Sequence, residues 1–263
     1  MNEKFRKYTS DETFERIVDF QNVTEMWNRC ISEYADSIAI VDGENYTYAK
    51  LDEDAAYFRT VLKENNADTG SLIGILCPNS YGFVKAFLAA TTLGVAAVLL
   101  PAHMDAQTVF GVASKFGMKA VVYDESLAER VALLRENNPS VALIPSSATA
   151  SERTALVPVP ASATAAILFT GGTTGKSKGA KLSQRAIMAG TKNGCYGVRE
   201  VFGQRYLLVL PLTHVFGLIR NLMTSLYTGS TLFICRNNKD MFRDVAVFKP
   251  TIMVLVPAAD AAS

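Results

Sequence analysis

The sequence predicts an α/β protein, a layered sandwich of two mainly parallel sheets with flanking helices. Three observations predict it. Short apolar runs alternate with stretches of helical period along nearly the whole chain, the pattern of parallel strands covered on both faces. Of the 263 residues, 49% are hydrophobic and 19% charged, enough for a sizeable core. An Ala/Ser/Pro-rich stretch at 145–164 separates two sets of strands and reads as a loop crossing between two sheets.

Taken in order, residues 1–23 read as an extended N-terminal arm. The stretch VTEMWNRCISEYA reads as a helix with Thr24 as its N-cap and Met26, Trp27, Cys30, Ile31 and Tyr34 at helical spacing. A strand is expected over 37–41, then an Asp42-Gly43 turn before a second short strand at 46–48. Helices are expected over 49–65, 81–93, 107–116 and 126–136, and strands over 72–77, 96–100, 120–123 and 141–144. Residues 24–144 thus form a first α/β subdomain. The second subdomain, 165–263, opens with a strand at 165–169. A helix after Ser183, a strand at 206–210, a helix at 216–227 and strands at 231–235 and 252–256 follow.

A net charge of +1 gives no electrostatic argument for nucleic acid or an anionic membrane. The most membrane-like segment, 86–100, is too short to span a bilayer and reads as a buried helix running into a buried strand. The N-terminus is charged and lacks the apolar centre of a signal peptide. Cys30, Cys77, Cys195 and Cys235 have no C-x-x-C spacing, and only two His are present, so the thiols read as reduced and mostly buried, as in a cytoplasmic protein.

The stretch ILFTGGTTGKSKGAKLSQ, 167–184, carries the chemistry. A loop between a buried strand and a helix can aim backbone N–H groups at an anion. Gly171, Gly172 and Gly175 let the backbone come close. Thr170, Thr173 and Thr174 add hydroxyls, and Lys178 adds a charge, a combination suited to a nucleotide triphosphate. The Walker A pattern fails because Thr170 stands where its first Gly is required, and G-x-G-x-x-G fails because Gly171 and Gly172 are adjacent. His103 reads as structural or solvent-facing. From the residues alone, His214 reads either as a hydrogen-bonded core residue or as a functional imidazole. Lys176, Lys181, Arg199, Arg205 and Arg220 read as surface or helix-capping charges.

The run Thr170 to Gly179 resembles the phosphate-binding signature of the adenylate-forming (AMP-binding) superfamily, T-S-G-T-T-G-x-P-K-G. Gly171, and Lys178-Gly179-Ala180 after it, look most like the long-chain fatty-acyl-CoA ligases of that group. Ser177 replaces the usual Pro, and Gln184 stands where a His often follows. Further resemblances are Tyr46-Thr47-Tyr48 with Leu51, Cys77-Pro78-Asn79-Ser80 with Phe83 and Phe87, Leu93-Gly94-Val95-Ala96 to Pro101, and Leu210-Pro211-Leu212-Thr213-His214-Val215-Phe216-Gly217. Together they run from Trp27 to Val256.

The resemblance implies the large N-terminal domain of an adenylate-forming enzyme, an acid–thiol ligase. A carboxylate attacks ATP to give an acyl-adenylate and pyrophosphate, and coenzyme A then displaces AMP. It implies nucleotide binding by Thr170, Gly171, Gly172, Thr173, Thr174, Gly175 and Lys178, with Thr170 as the Mg²⁺ ligand. His214 would orient the carboxylate or a phosphate oxygen, and Phe216 would line the acid's pocket. The implied partners are a small-molecule carboxylate and a nucleotide. The family's Y-G-x-T-E segment, ribose-binding Asp, hinge and C-terminal lid do not appear by Ser263, so this chain is expected not to complete catalysis alone. Apolar surface left uncovered would favour self-association, for instance as a homodimer. Rival readings are another adenylate-former, either an aryl ligase or a carrier-protein-loading adenylation domain, and a non-catalytic nucleotide-binding protein.

Overall fold

The computed structural model describes residues 7–170, 178–235 and 238–256. Its described strands are β1 (Ile38–Asp42), β2 (Glu44–Thr47), β3 (Leu72–Leu76), β4 (Ala96–Leu99), β5 (Ala120–Tyr123), β6 (Ala142–Pro145), β7 (Thr164–Thr170), β8 (Lys178–Ser183), β9 (Arg205–Leu208), β10 (Thr231–Ile234) and β11 (Ile252–Met253). The described α-helices are α1 (Asp11–Arg16), α2 (Val23–Tyr34), α3 (Tyr48–Glu64), α4 (Tyr81–Leu93), α5 (Ala106–Phe116), α6 (Ala132–Asn137), α7 (Gln184–Gly194), α8 (Thr224–Tyr227) and α9 (Met241–Phe248).

The strands form two sheets. One has six strands in the order β6-β5-β3-β4-β7-β8, and the other five in the order β11-β9-β10-β1-β2. Pairing is parallel except for β8 against β7 and β2 against β1. The predicted class, two mainly parallel sheets with flanking helices, is what the chain forms. The stretch at 145–164, however, joins β6 to β7 within one sheet instead of crossing between sheets. Each sheet combines strands from before and after it.

Period-two alternation on the six-stranded sheet fills both faces. Ile73, Ile75, Ala97 and Leu99 face the larger core beneath α4, and Leu76, Val98 and Val121 face a second cluster beneath α5. Residues 86–100 are the buried end of α4 and strand β4, and no described helix is long and apolar enough to cross a membrane.

Helix starts follow short polar side chains. Thr47, Ser80, Asp105 and Ser183 each accept a hydrogen bond from a first-turn N–H. At α2 the cap is Asn22 and not Thr24, whose hydroxyl instead donates to the Val157 carbonyl at 3.1 Å. The amide of Asn22 offers an acceptor at the residue where the chain turns, and Thr24 already lies inside the helix.

Five further segments differ from the sequence reading. The N-terminal arm contains α1, capped by Ser10 and tied back through Thr13 to Glu200. Residues Glu125–Val131 wind as a 3₁₀ helix with Leu127 out of helical geometry, and only Ala132–Asn137 is α-helical. Residues Met241–Phe248 form α9, which had no expectation, and β11 is only two residues long. Residues Phe216–Met223 wind as a π-helix, with the Thr224 N–H reaching back five residues to the Ile219 carbonyl.

Candidate functional site

Five strands end at one cavity. Residues beyond the carboxyl ends of β3 (Cys77, Pro78, Asn79), β4 (Pro101, Ala102, His103), β9 (Val209, Pro211, Thr213, His214) and β10 (Cys235) line it, with Phe169 near the end of β7. Its volume is about 650 Å³. Parallel strands with crossover helices leave their carboxyl ends open, so a crevice there is where this topology receives ligands. A second hollow of about 310 Å³ shares Phe169, Thr213 and His214 with the first, and is otherwise lined by Leu168, Ala180, Leu182 and Val215. His214 therefore stands between a mixed cavity and a mainly apolar slot.

A larger groove, about 1050 Å³, lies against α2, α3 and residues 153–161. It contains none of the candidate site residues read from the sequence, and its size alone gives it no chemistry.

His214 sits in a tight turn. Its N–H donates to the Pro211 carbonyl (3.0 Å), its carbonyl accepts from the Leu218 N–H (2.9 Å), and its Nδ1 accepts from the Phe216 N–H (3.3 Å). With Nδ1 accepting, the neutral ring carries its proton on Nε2. The ring is exposed and lies nearly parallel to Phe216, with centroids 6.1 Å apart. It is not a core histidine. Phe216 is itself 45% exposed and lines neither hollow, whereas its neighbour Val215 lines the slot. His103, read as structural or solvent-facing, is solvent-facing but lines the same cavity as His214. The signal for it was its place just after an apolar strand, which becomes informative only once two sheets converge.

Among the described residues no carboxylate lines the cavity. Burial pushes the Cys77 thiol well above its ordinary value, with Asp124 adding to the effect, so Cys77 is no nucleophile at neutral pH. All four cysteines are buried and free, as the spacing predicted.

The glycine-rich stretch connects two antiparallel strands. Thr170 at the end of β7 pairs with Lys178 at the start of β8, and Phe169 pairs with Gly179. Gly171, Gly172, Thr173, Thr174 and Gly175 lie outside the described residues, as do the side chains of Thr170 and Lys178. The helix expected after Ser183 begins there, as α7 at Gln184, but the stretch before it was read wholly as loop, and the six-residue strand β8 lies between the glycine-rich stretch and α7. At about 3.3 Å per residue β8 holds the start of α7 nearly 20 Å from the Lys178 end of the strand, too far for the α7 dipole to act on a ligand at that end. Gln184 is fully buried: its Oε1 accepts from the Val23 N–H (3.0 Å) and its Nε2 donates to the Thr91 carbonyl (2.9 Å). It ties α2, α4 and α7 together and has no part in the cavity. Arg205 and Arg220 bond to the carbonyls of Lys249 and Asn193 near helix ends, in keeping with capping charges.

The fold is an α/β sandwich whose two mainly parallel sheets open on one cavity at the carboxyl ends of their strands. The sequence pattern of the AMP-binding enzymes matches residues 27–260. The chain belongs to that family. It is 22% identical over 232 residues to the medium-chain fatty-acid–CoA ligase of Escherichia coli (strain K12), covering 80% of this chain and 41% of that protein. It is 28% identical over 256 residues to cyclosporin synthetase simA of Tolypocladium inflatum, covering 88% of this chain and 2% of that one. The chain thus spans less than half the length of these relatives. The inhibitor-bound N-terminal domain of FACL13 from Mycobacterium tuberculosis shares the fold, with a TM-score of 0.81 at 23% identity, over 91% of this chain and 64% of that one.

Proposed function

We propose that this chain is the N-terminal, nucleotide- and acid-binding part of an ATP-dependent carboxylate–CoA ligase acting on a fatty acid. One observation carries the reading: His214 separates an apolar slot from the cavity at the strand ends. An acid with an apolar body would put its tail in the slot and its carboxylate at Nε2–H of His214. The hairpin between Thr170 and Lys178 would cradle the phosphates, with the backbone N–H groups of Gly171, Gly172 and Gly175, the hydroxyls of Thr173 and Thr174, and the Lys178 ammonium as donors.

The chemistry follows from bringing two anions together. A carboxylate oxygen bonds to the α-phosphorus, the bond from that phosphorus to the bridging oxygen of the β-phosphate breaks, and pyrophosphate leaves with Lys178 balancing its charge. Coenzyme A sulfur then bonds to the acyl carbon, AMP departs with the electron pair of the broken C–O bond, and the thiol proton passes to solvent. Positioning and charge neutralisation are what such a step needs from a protein. No cluster of His, Cys, Asp or Glu among the described residues would hold a metal by itself. Mg²⁺ accompanying the nucleotide would supply charge screening, with Thr170 as its proposed protein ligand.

The test is calorimetric titration of this chain with Mg-ATP. Binding in the millimolar range, about 4 kcal/mol, is expected, and Lys178→Ala and Thr173→Ala should abolish it. Unchanged binding in both variants would sink the hairpin as the phosphate site. The similarity to cyclosporin synthetase favours a second reading, an adenylation domain that activates an amino or hydroxy acid for a carrier-protein thiol. Pyrophosphate release by the longer protein, stimulated by amino acids and not by fatty acids, would favour it.

A further inference from the structure

We infer that Asn79 is the positioning residue for His214. The two lie on different loops from different sheets: Asn79 follows β3 of the six-stranded sheet, and His214 follows β9 of the five-stranded sheet. The Asn79 side chain spans the gap with both halves of its amide. Its Nδ2 donates to the Leu210 carbonyl at 3.0 Å, and its Oδ1 accepts from the Leu212 N–H at 2.8 Å. Gripping the acceptor and the donor that flank Pro211 fixes that peptide in place and direction. Pro211 has no N–H of its own to hold the strand end, so an outside partner is the means of fixing it.

From there the constraint passes to the imidazole by two short steps. The Pro211 carbonyl accepts from the His214 N–H, and Gly217 closes the turn behind it. A Cβ on Gly217 would come 2.1 Å from the Pro211 oxygen, so only glycine lets the helix start pack this closely on the gripped peptide. The His214 ring is exposed, and among the described residues no side chain from the six-stranded sheet bonds to it directly. Its place in the cavity is therefore set through the backbone that Asn79 holds. Asn79 lines the same cavity. A ligand pressing on Asn79 would displace His214, and the reverse. The assignment needs no substrate and can fail while the ligase reading survives.

The chain has two histidines, which makes the test direct. Imidazole carbon–proton spectra of the whole chain show two ring systems, and His103→Gln identifies which belongs to His214. In Asn79→Ala, the His214 ring resonances should move or split while those of His103 stay. The Leu212 amide should exchange with solvent about 3- to 10-fold faster, the range expected for one lost hydrogen bond. Asn79→Asp keeps the acceptor for the Leu212 N–H but loses the donor to the Leu210 carbonyl. It should leave Leu212 protected and still displace His214. Ser80→Ala, one residue along the same loop, removes the α4 cap without touching residues 210–212 and should leave His214 unmoved. Wild-type His214 resonances in Asn79→Ala would overturn the assignment. If Asn79→Ala fails to fold, Asn79→Asp decides: a displaced His214 ring supports the assignment and an unmoved one overturns it.

Discussion

Two helices leave the cavity floor in opposite styles. α4 follows the loop at 77–80, is capped by Ser80, ends on Gly94 with φ +75°, and has every residue except Gly82 buried. Its Thr91 and Thr92 hydroxyls return to carbonyls one turn back. The helix at 216–227 follows the loop at 209–215, has no side-chain cap, begins at exposed residues and winds as a π-helix before turning regular at Thr224. Its Asn221 amide is buried with no protein partner among the described residues. α4 holds the two sheets together, so regular winding and full burial serve it. On the proposed function the second helix would present His214 at a ligand site, and irregular winding is frequent at such sites.

The largest effect expected is in α4. Phe87→Ala empties a site that is 1% exposed and should cost about 3–5 kcal/mol in urea unfolding; a loss below about 1 kcal/mol would mean α4 is not the central support described. Gly217→Ala should come next, at about 2–3 kcal/mol, because the group it meets is a carbonyl that cannot swing away. Ser80→Ala should cost about 1 kcal/mol, the usual worth of an N-cap, whereas the uncapped helix at 216–227 offers no counterpart to lose.

Lys85 sharpens the comparison from within α4. It is 8% exposed, its Nζ lies 4.9 Å from the Phe58 ring, and burial holds its ammonium below the ordinary lysine range. A folded-state value below the unfolded one means the unfolded chain holds more protons as pH approaches 10.5. Stability from this group is lowest when it is charged in both states and rises as pH climbs from the folded value toward the unfolded one. Lys85→Met should be neutral or stabilising by less than about 1.5 kcal/mol at pH 7 and should flatten that alkaline rise in urea melts. The smallest effect belongs to Phe216→Ala, within about 0.5 kcal/mol because the ring is largely in water. A loss of several kcal/mol there would show that His214 and Phe216 are packed more like α4 than described.

The elements read most accurately were those whose own residues decide them. Residues 81–93 match α4 and residues 120–123 match β5, because a serine cap, a glycine stop and consecutive apolar residues act locally. Strand β8 was missed because KGAKLS carries charges and glycine and earns its place only by pairing with β7. Helix α9 was missed because Phe242 and Val247 stay exposed, leaving no buried stripe to read. Of the candidate site, His214 was visible through its motif. The convergence of His103, Asn79 and Cys235 upon it was not, since they come from three other loops.

By itself the sequence determined the α/β class, the order of most strands and helices, the glycine-rich stretch and the family those residues resemble. All of these are carried by near neighbours in the chain. Only the tertiary structure decided that each sheet draws on both halves of the chain, that the glycine stretch joins two antiparallel strands, and that two histidines share one cavity. Those outcomes depend on which strand edges meet and which loop ends face one another. Such pairings are free-energy differences between contacts far apart in sequence, and no local pattern encodes them.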